Sequence, residues 1–236
     1  MTRTARHRPW TQAIRTRETP DGTLRGYLRF AALGDSLSCG HPGSGRPRTL
    51  SWAELLASSI AHDHDVSFCD LTQAGATTNE VRKTQAPLAR DHRPHLASLV
   101  AGLQDACRST WDKDVVRYRL MRSADELRWS GAELMTVRFH DHSKVLGLGT
   151  VSGQGLTRRI AELNEIYDEL DDAYGGLRLD LAHHDELLED GFWSTHPLHP
   201  SSAGHLFLAQ QFARLLSASG LSCRFAGLAP TETNLN

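Results

Sequence analysis

Ser36 and His199 are the residues whose types and settings point to nucleophilic catalysis. Ser36 follows the apolar run 27–33 within Gly34-Asp35-Ser36, so its hydroxyl is expected just past a strand end, beside backbone N–H groups. Such N–H groups can stabilise the oxyanion that develops during acyl transfer. Serine is a weak nucleophile until a base removes its proton, so this chemistry requires a histidine within reach. Taken alone, Gly-Asp-Ser is also an ordinary turn sequence.

The candidate base lies near the other end of the chain. His199 is flanked by Pro197 and Pro200, and prolines stiffen the loop that carries it. A stiff loop can hold an imidazole in a fixed orientation toward Ser36. His196 and His199 also form an HxxH pair, which occurs in metal sites, but the intervening proline and the lack of a paired carboxylate argue against a metal.

The elements that must position these residues alternate between strand and helix. Capping-box patterns begin helices at Ser51 and Thr77, and Gly175-Gly176 closes another helix. Alternation of this kind implies parallel strands joined by right-handed crossovers, so the predicted class is α/β, doubly wound. The strands are predicted at 27–33, 66–71, 95–101, 133–139 and 177–181, and a final helix at 201–219.

Loops outside the carboxyl ends of such strands carry the functional residues. Four loops have this position, and we expect them to converge on one crevice; they are 34–40, 73–78, 102–108 and 192–204.

Composition limits the function classes. The 236 residues suit one domain with a substantial core, and the net charge of −2 does not favour a nucleic acid or a membrane surface as partner. Mean hydropathy is −0.40, and no apolar run approaches the ~20 residues of a membrane-spanning helix. We therefore expect no nucleic-acid partner and no membrane span; the oligomeric state stays open.

The chain is predicted to contain a polar N-terminal extension (1–26), a single catalytic domain (27–220) and a C-terminal tail (221–236). The early arginines are not followed by the apolar run of a secretory signal. The cysteines form no CxxC pair, which is typical of free thiols in a reducing compartment, so the predicted localisation is cytoplasmic. They are Cys39, Cys69, Cys107 and Cys223.

Over about residues 28–216 the sequence resembles the SGNH (GDSL-type) hydrolases, a superfamily that includes esterases, lipases and thioesterases. Residues 34–38 resemble the first block of that family, and Gly75 within 73–78 matches the glycine of the second. Residues 102–105 resemble the third block, normally Gly-x-Asn-Asp, and 196–205 resemble the last, Asp-x-x-His-Pro-x-x-x-Gly-His. The blocks occur in the family's order at compatible spacing. The resemblance implies a three-layer α/β/α flavodoxin-like sandwich of about five parallel strands in the order 2-1-3-4-5.

The resemblance also implies roles for individual residues. Ser36 would be the nucleophile and His199 its general base, acting on a small-molecule acyl ester without a metal or organic cofactor. The backbone N–H groups of Ser36 and Gly75, with the side-chain amide of Gln104, would form the oxyanion hole.

Two positions depart from the family pattern. Gln104 stands where the family has asparagine; its amide is the same donor on a stem one methylene longer. His196 stands where the family has the aspartate that orients the base. A backbone carbonyl or His196 is favoured over Asp190 as the orienting group. Three interpretations stay open: an active esterase, an acyltransferase that uses the same acyl-serine, and a catalytically inactive binding protein.

Other suggestive residues have simpler interpretations. His205 is expected to cap or pack the final helix, and Cys39 to fill space. Arg46 and Arg48 are expected to be solvated. Three His- and Asp-rich triplets are interpreted as solvated turns at element ends: 62–64, 140–142 and 183–185.

Overall fold

A mostly parallel, six-stranded sheet lies at the centre of the computed structural model, which describes residues 10–18, 24–40 and 48–225. The parallel strands follow the order β3-β2-β4-β5-β6, which confirms the predicted order 2-1-3-4-5. Their bounds are β2 Leu24–Gly34, β3 His64–Asp70, β4 Leu96–Val100, β5 Glu133–Arg138 and β6 Leu177–Asp180.

Strand β1 (Arg15–Glu18) lies within the predicted N-terminal extension and pairs antiparallel with β2. Gly26 and Tyr27 pair with β3 on one edge of β2 and with β1 on the other. Strand β1 therefore lies on the same edge of β2 as β4, which pairs with later residues of β2. All four β1 side chains are exposed. This strand is held by backbone pairing and not by burial of apolar side chains. The hydropathy pattern therefore did not predict it.

Helices cover both faces of the sheet and complete three layers. Contacts group α1 with α7 on one face, and α3, α5 and α6 on the other. The bounds are α1 Trp52–Ile60, α2 Thr78–Glu80, α3 Ala86–His92, α4 Leu103–Ala106, α5 Lys113–Trp129, α6 Thr150–Tyr174 and α7 Ser202–Ala218. A π-helical turn (Val81–Gln85) joins α2 to α3, and short 3-10 turns occupy Trp10–Ala13 and Asp185–Leu188.

The predicted helix ends are present. At α1 the Ser51 hydroxyl accepts the Glu54 N–H at 3.1 Å, and the Glu54 carboxylate accepts the Ser51 N–H at 2.8 Å. Thr77 and Glu80 form the equivalent capping box at α2. Gly175 ends α6 with φ of 66°, a conformation in which a residue with a Cβ would be strained.

The core lies between the sheet and its two helix layers. Every residue of β4 is buried, as expected for a parallel strand covered on both faces. Trp52 of α1 stacks on Phe212 of α7 at 4.5 Å between ring centroids. The buried Tyr167 hydroxyl accepts the Ala101 N–H at 3.0 Å and donates to the Ala101 carbonyl at 2.9 Å. This pair of bonds holds the chain where β4 enters its functional loop.

The first residues of the predicted C-terminal tail pack against α1. Leu221 is buried, the Arg224 N–H donates to the Ser59 carbonyl at 3.1 Å, and the Arg224 guanidinium pairs with Asp63 at 2.9 Å. Residues 226–236 lie outside the described part of the chain. Within the described part, none of the helices has the length and apolarity that crossing a membrane requires. All four cysteines are described, and each is a free thiol.

Candidate active site

The Ser36 hydroxyl meets the second predicted loop directly. Ser36 lies in the turn that follows β2, and its Oγ accepts the Gly75 N–H at 2.9 Å. Gly75 has φ of 74°, which aims this N–H at Ser36 and favours glycine, while a Cβ there would meet nothing within 4 Å. Close packing demands glycine at Gly34, because a Cβ would come within 2.3 Å of the Val100 carbonyl oxygen. The loops after β2 and β3 therefore form one site.

Asp35 joins the first loop to the third. Its buried carboxylate accepts the N–H groups of Leu37 at 3.1 Å, Gly102 at 3.2 Å and Gln104 at 3.4 Å. Burial raises the pKa of Asp35 to about 7, while these three donors oppose the rise. Asp35 therefore orders the turn that carries Ser36 and also holds the loop that carries Gln104.

Asp105 joins the third loop to the second. Its carboxylate accepts the N–H of Thr78 at 2.8 Å and the Thr78 hydroxyl at 2.9 Å, and the guanidinium of Arg119 lies 3.8 Å away. Burial raises the pKa of this carboxyl group above its usual range. Two buried carboxylates thus tie together the loops that carry Ser36, Gly75 and Gln104.

The fourth loop carries His199 and His196. Its Pro197 carbonyl contacts the imidazole of His142 in the turn after β5, and β5 runs parallel to β2 in the same sheet, so the loop lies at the sheet edge where Ser36 also lies. The His199 N–H donates to the His196 carbonyl at 2.9 Å, and the two imidazole centroids are 5.7 Å apart. His199 is half-buried, whereas His196 and Asp190 are exposed. A hydrogen bond between Ser36 and His199 stays a prediction.

His140 and His142 are buried, so the interpretation of 140–142 as a solvated turn is wrong for both. The imidazole of His140 stacks on Trp193, and that of His142 meets the Trp193 ring edge-on at 4.5 Å. The His142 Nε2 also lies 2.8 Å from the Pro197 carbonyl oxygen. The loop that carries His199 covers this turn. The sequence of the turn does not indicate this, because the covering residue Pro197 lies 55 residues after His142.

Burial keeps both imidazoles neutral. It lowers the pKa of His140 to about 3 and that of His142 to about 4, from an ordinary value of 6.5. The neighbouring His142 adds to the lowering of the His140 pKa, and Asp141 opposes the lowering for both residues. The hydrogen bond to the Pro197 carbonyl also opposes it for His142. These residues are therefore uncharged partners of Trp193 at neutral pH.

We expect His142→Phe to reduce the loss of stability on acidification. Unfolded, His142 binds a proton below 6.5, but folded only below a pKa of about 4, so its contribution is fully present above pH 6.5 and lost as pH falls toward 4. The pKa of Asp35 is raised, so that group acts in the opposite direction over this interval. Between pH 6.5 and 4, the free energy of unfolding of His142→Phe should therefore fall by about 3 kcal/mol less than that of the wild type.

Urea unfolding at a series of pH values checks this expectation, with His183→Phe as control because the His183 side chain is 81% exposed. An unchanged pH dependence in His142→Phe would contradict a buried, neutral imidazole at this position.

The remaining candidates have structural roles. His205 is buried in α7, and its Nδ1 accepts the Trp52 N–H at 3.2 Å, so it caps α1 while it packs α7. Arg48 forms an ion pair with Glu54. Arg46, with the rest of 41–47, lies outside the described residues. Burial raises the pKa of the Cys39 thiol, consistent with a space-filling role. Across the described ranges no group of three His, Cys, Asp or Glu side chains could hold a metal ion.

Comparison with solved structures shows the same fold in three esterases or lipases. A psychrotrophic esterase from Pseudoalteromonas sp. is 14% identical, with a TM-score of 0.64 over 81% of this chain and 97% of its own. The lipase/acylhydrolase from Enterococcus faecalis is 18% identical, with a TM-score of 0.60 over 84% and 100%. An acetylxylan esterase from Geobacillus stearothermophilus is 15% identical, with a TM-score of 0.64 over 84% and 97%.

No curated protein sequence matches the chain. Residues 32–206 match the sequence model of the GDSL-like Lipase/Acylhydrolase family. That range runs from inside β2 into α7 and includes Ser36, Gly75, Gln104 and His199. With this match over most of its length, and with the sheet order and helix layers described above, the chain belongs to the family of GDSL-like lipases and acylhydrolases.

Proposed function

We propose that this chain is a serine esterase that cleaves a carboxylic ester through an acyl-serine intermediate, with Ser36 as nucleophile and His199 as general base. One observation carries the proposal: the Gly75 N–H lies 2.9 Å from Ser36 Oγ, at the sheet edge to which the loop of His199 also belongs. A nucleophile with a backbone donor already beside it suits the stabilisation of a developing oxyanion.

The reaction uses two acyl transfers. Ser36 Oγ attacks the ester carbonyl while His199 takes the hydroxyl proton, and the oxyanion is held by the N–H groups of Ser36 and Gly75 with the Gln104 amide. The C–O bond to the alcohol then breaks, and His199 gives its proton to the leaving oxygen. Water attacks the acyl-serine with His199 again as base, which releases the acid and restores Ser36.

Two structural relatives support this chemistry. A catalytic mutant of the Geobacillus acetylxylan esterase has alanine in place of a serine. The Pseudoalteromonas esterase is inhibited by monoethylphosphonate, an organophosphorus compound. The Asp35 carboxylate adds support from this chain itself, because its bonds to Gly102 and Gln104 hold the third loop beside Ser36.

Turnover of p-nitrophenyl acetate and longer-chain esters tests the proposal, with Ser36→Ala as the decisive variant. Ser38→Ala is the matched control, since Ser38 is a buried serine in the same turn. Turnover by the wild type and Ser38→Ala that disappears in Ser36→Ala supports the enzyme. Equal background rates in all three proteins would instead support a catalytically inactive binding protein.

An acceptor added to the same assay separates hydrolysis from transfer. With a primary alcohol or amine present, the esterase releases mainly the free acid, whereas an acyltransferase yields mainly the acylated acceptor, which mass spectrometry identifies. Disappearance of both products in Ser36→Ala assigns whichever reaction is seen to the acyl-serine.

We expect His196→Asp to keep turnover at or above the wild-type level. An aspartate three residues before the base supplies the negative charge that stabilises the imidazolium formed during attack, which a neutral imidazole at His196 does not supply. Steady-state kcat and KM of this variant check the expectation, with His196→Asn as the uncharged control of similar size. A steep loss of kcat in His196→Asp alone would show that the His196 imidazole has a role of its own.

A further inference from the structure

The loop that carries His199 has its own internal bonds, which set its shape. Trp193 and Pro200 form an antiparallel bridge across its base. The Ser194 N–H donates to the His199 carbonyl at 2.9 Å, and the His199 N–H donates to the His196 carbonyl at the same distance. These bonds join the loop to itself, so they do not determine where the loop lies relative to the sheet.

His142, which follows β5 by four residues, contacts this loop at two places. Its Nε2 lies 2.8 Å from the Pro197 carbonyl oxygen, two residues before His199. Its ring meets the Trp193 ring edge-on at 4.5 Å, at the base of the loop. Because a carbonyl oxygen only accepts, Nε2 carries a proton, and because burial keeps this imidazole neutral, it is the Nε2–H tautomer.

The backbone that carries His142 is itself anchored. The Asp141 carboxylate accepts the Ser143 N–H at 3.0 Å and the Thr157 hydroxyl of α6 at 2.9 Å. The His142 side chain is 1% exposed, so its ring has little freedom to turn away from Pro197. A fixed donor on the β5 side thus faces a fixed acceptor on the loop of His199.

Strand pairing continues this connection to the nucleophile. Strand β5 pairs with β4, and the loop after β4 donates the Gly102 and Gln104 N–H groups to Asp35, the residue before Ser36. The hydrogen bond from His142 to Pro197 therefore links the loop of His199 to the strands that hold the nucleophile's loop.

We propose that His142 is a positioning residue for catalysis: its Nε2–H, donated to the Pro197 carbonyl, sets the position of His199 relative to Ser36. The inference rests on the proposed function, in which His199 acts as base. Without this bond the loop keeps its shape, because its internal bonds remain, but its position relative to Ser36 shifts. A displacement of about 1 Å at a catalytic group lowers the rate by about 10²-fold.

Three variants test the role. His142→Phe keeps a flat ring and removes the donor, while His142→Gln keeps an N–H donor on a side chain of similar reach. His92→Phe is the matched control, because the His92 Nε2 also lies near a backbone carbonyl, that of Ser67 at 3.2 Å, but at the end of α3, away from this loop. We expect kcat to fall by about 10- to 100-fold in His142→Phe with KM unchanged, to recover at least in part in His142→Gln, and to stay at the wild-type value in His92→Phe.

Fluorophosphonate labelling separates positioning from loss of folded protein. Partial unfolding lowers the final fraction of labelled protein, whereas a misplaced base lowers the labelling rate and leaves the final fraction unchanged. We expect His142→Phe to label completely and slowly, by the same factor as its fall in kcat. A wild-type labelling rate in His142→Phe, or a lower final fraction without a lower rate, overturns the role of His142.

Nitrogen NMR of the unsubstituted protein gives a second test that needs no variant. The Nε2–H tautomer of His142 is expected at neutral pH, and the Nδ1–H tautomer or a charged imidazole overturns the inference.

Failure of the proposed function is distinguishable from failure of this inference, because it appears as undiminished turnover in Ser36→Ala. Activity that depends on Ser36 but not on His142 overturns the positioning role alone.

Discussion

His199→Ala is expected to lower kcat/KM for an activated ester by about 10⁴-fold, near the upper end of what a general base contributes. Without the imidazole, the Ser36 hydroxyl keeps its proton and is a poor nucleophile. The oxyanion donors remain, so a residual rate above that of water alone is expected. Steady-state kinetics with p-nitrophenyl acetate, alongside circular dichroism to verify folding, measure this loss.

The double variant Ser36→Ala/His199→Ala makes the expectation sharper. Two residues that act as one unit give losses that do not add, so the double variant should be about as slow as either single variant. His183→Ala is the control, because that histidine is exposed after β6 and lies outside the loop that carries His199. Additive losses, or a His199→Ala rate within tenfold of wild type, would contradict a shared role for Ser36 and His199.

Asp35→Ala is expected to have the second-largest effect, on both stability and rate. The change leaves the N–H groups of Leu37, Gly102 and Gln104 without their acceptor in a buried site. Unsatisfied buried donors cost about 1–3 kcal/mol each, and removal of a buried carboxylate offsets part of that cost, so we expect a net loss near 3 kcal/mol. Loosening the Gln104 loop should lower kcat by about 10²- to 10³-fold, as does the loss of one oxyanion donor.

Urea unfolding and kcat, each measured where the variant is folded, check the two effects. Asp180→Ala is the matched control: its carboxylate accepts the Ala182 N–H at 2.9 Å, two residues on, but at an exposed position. The control should change the free energy of unfolding by less than about 1 kcal/mol. A wild-type kcat in folded Asp35→Ala would show that Asp35 does not hold the oxyanion loop in place.

Local signals in the sequence were enough to predict the parallel strands and most helix ends. The apolar runs before Gly34 and Gly102, and the capping boxes at Ser51 and Thr77, involve residues within a few positions of one another, and the structure confirms them. Strand β1 was missed because its side chains are exposed and its partner is a backbone edge. Hydropathy reports burial of side chains, and β1 buries none of its own.

The contacts that assemble the site were harder to foresee. Asp35 and Gly102 are 67 residues apart, and Thr78 and Asp105 are 27 apart. Motif order predicted that these loops meet, but the sequence does not show which carboxylate accepts which N–H. The burial of His142 likewise depends on Trp193 and Pro197, whose loop reaches it only after the sheet has formed. Polar residues at the end of a strand predict a turn, but they do not predict whether another loop buries that turn.

Mapping a fluorophosphonate adduct by peptide mass spectrometry tests most directly whether the hydroxyl of Ser36 is activated by the imidazole of His199. We expect a single adduct on the peptide that contains Ser36, formed at least about 10³-fold more slowly in folded His199→Ala. No adduct on the wild type, an adduct elsewhere, or an equal rate in His199→Ala would contradict this expectation.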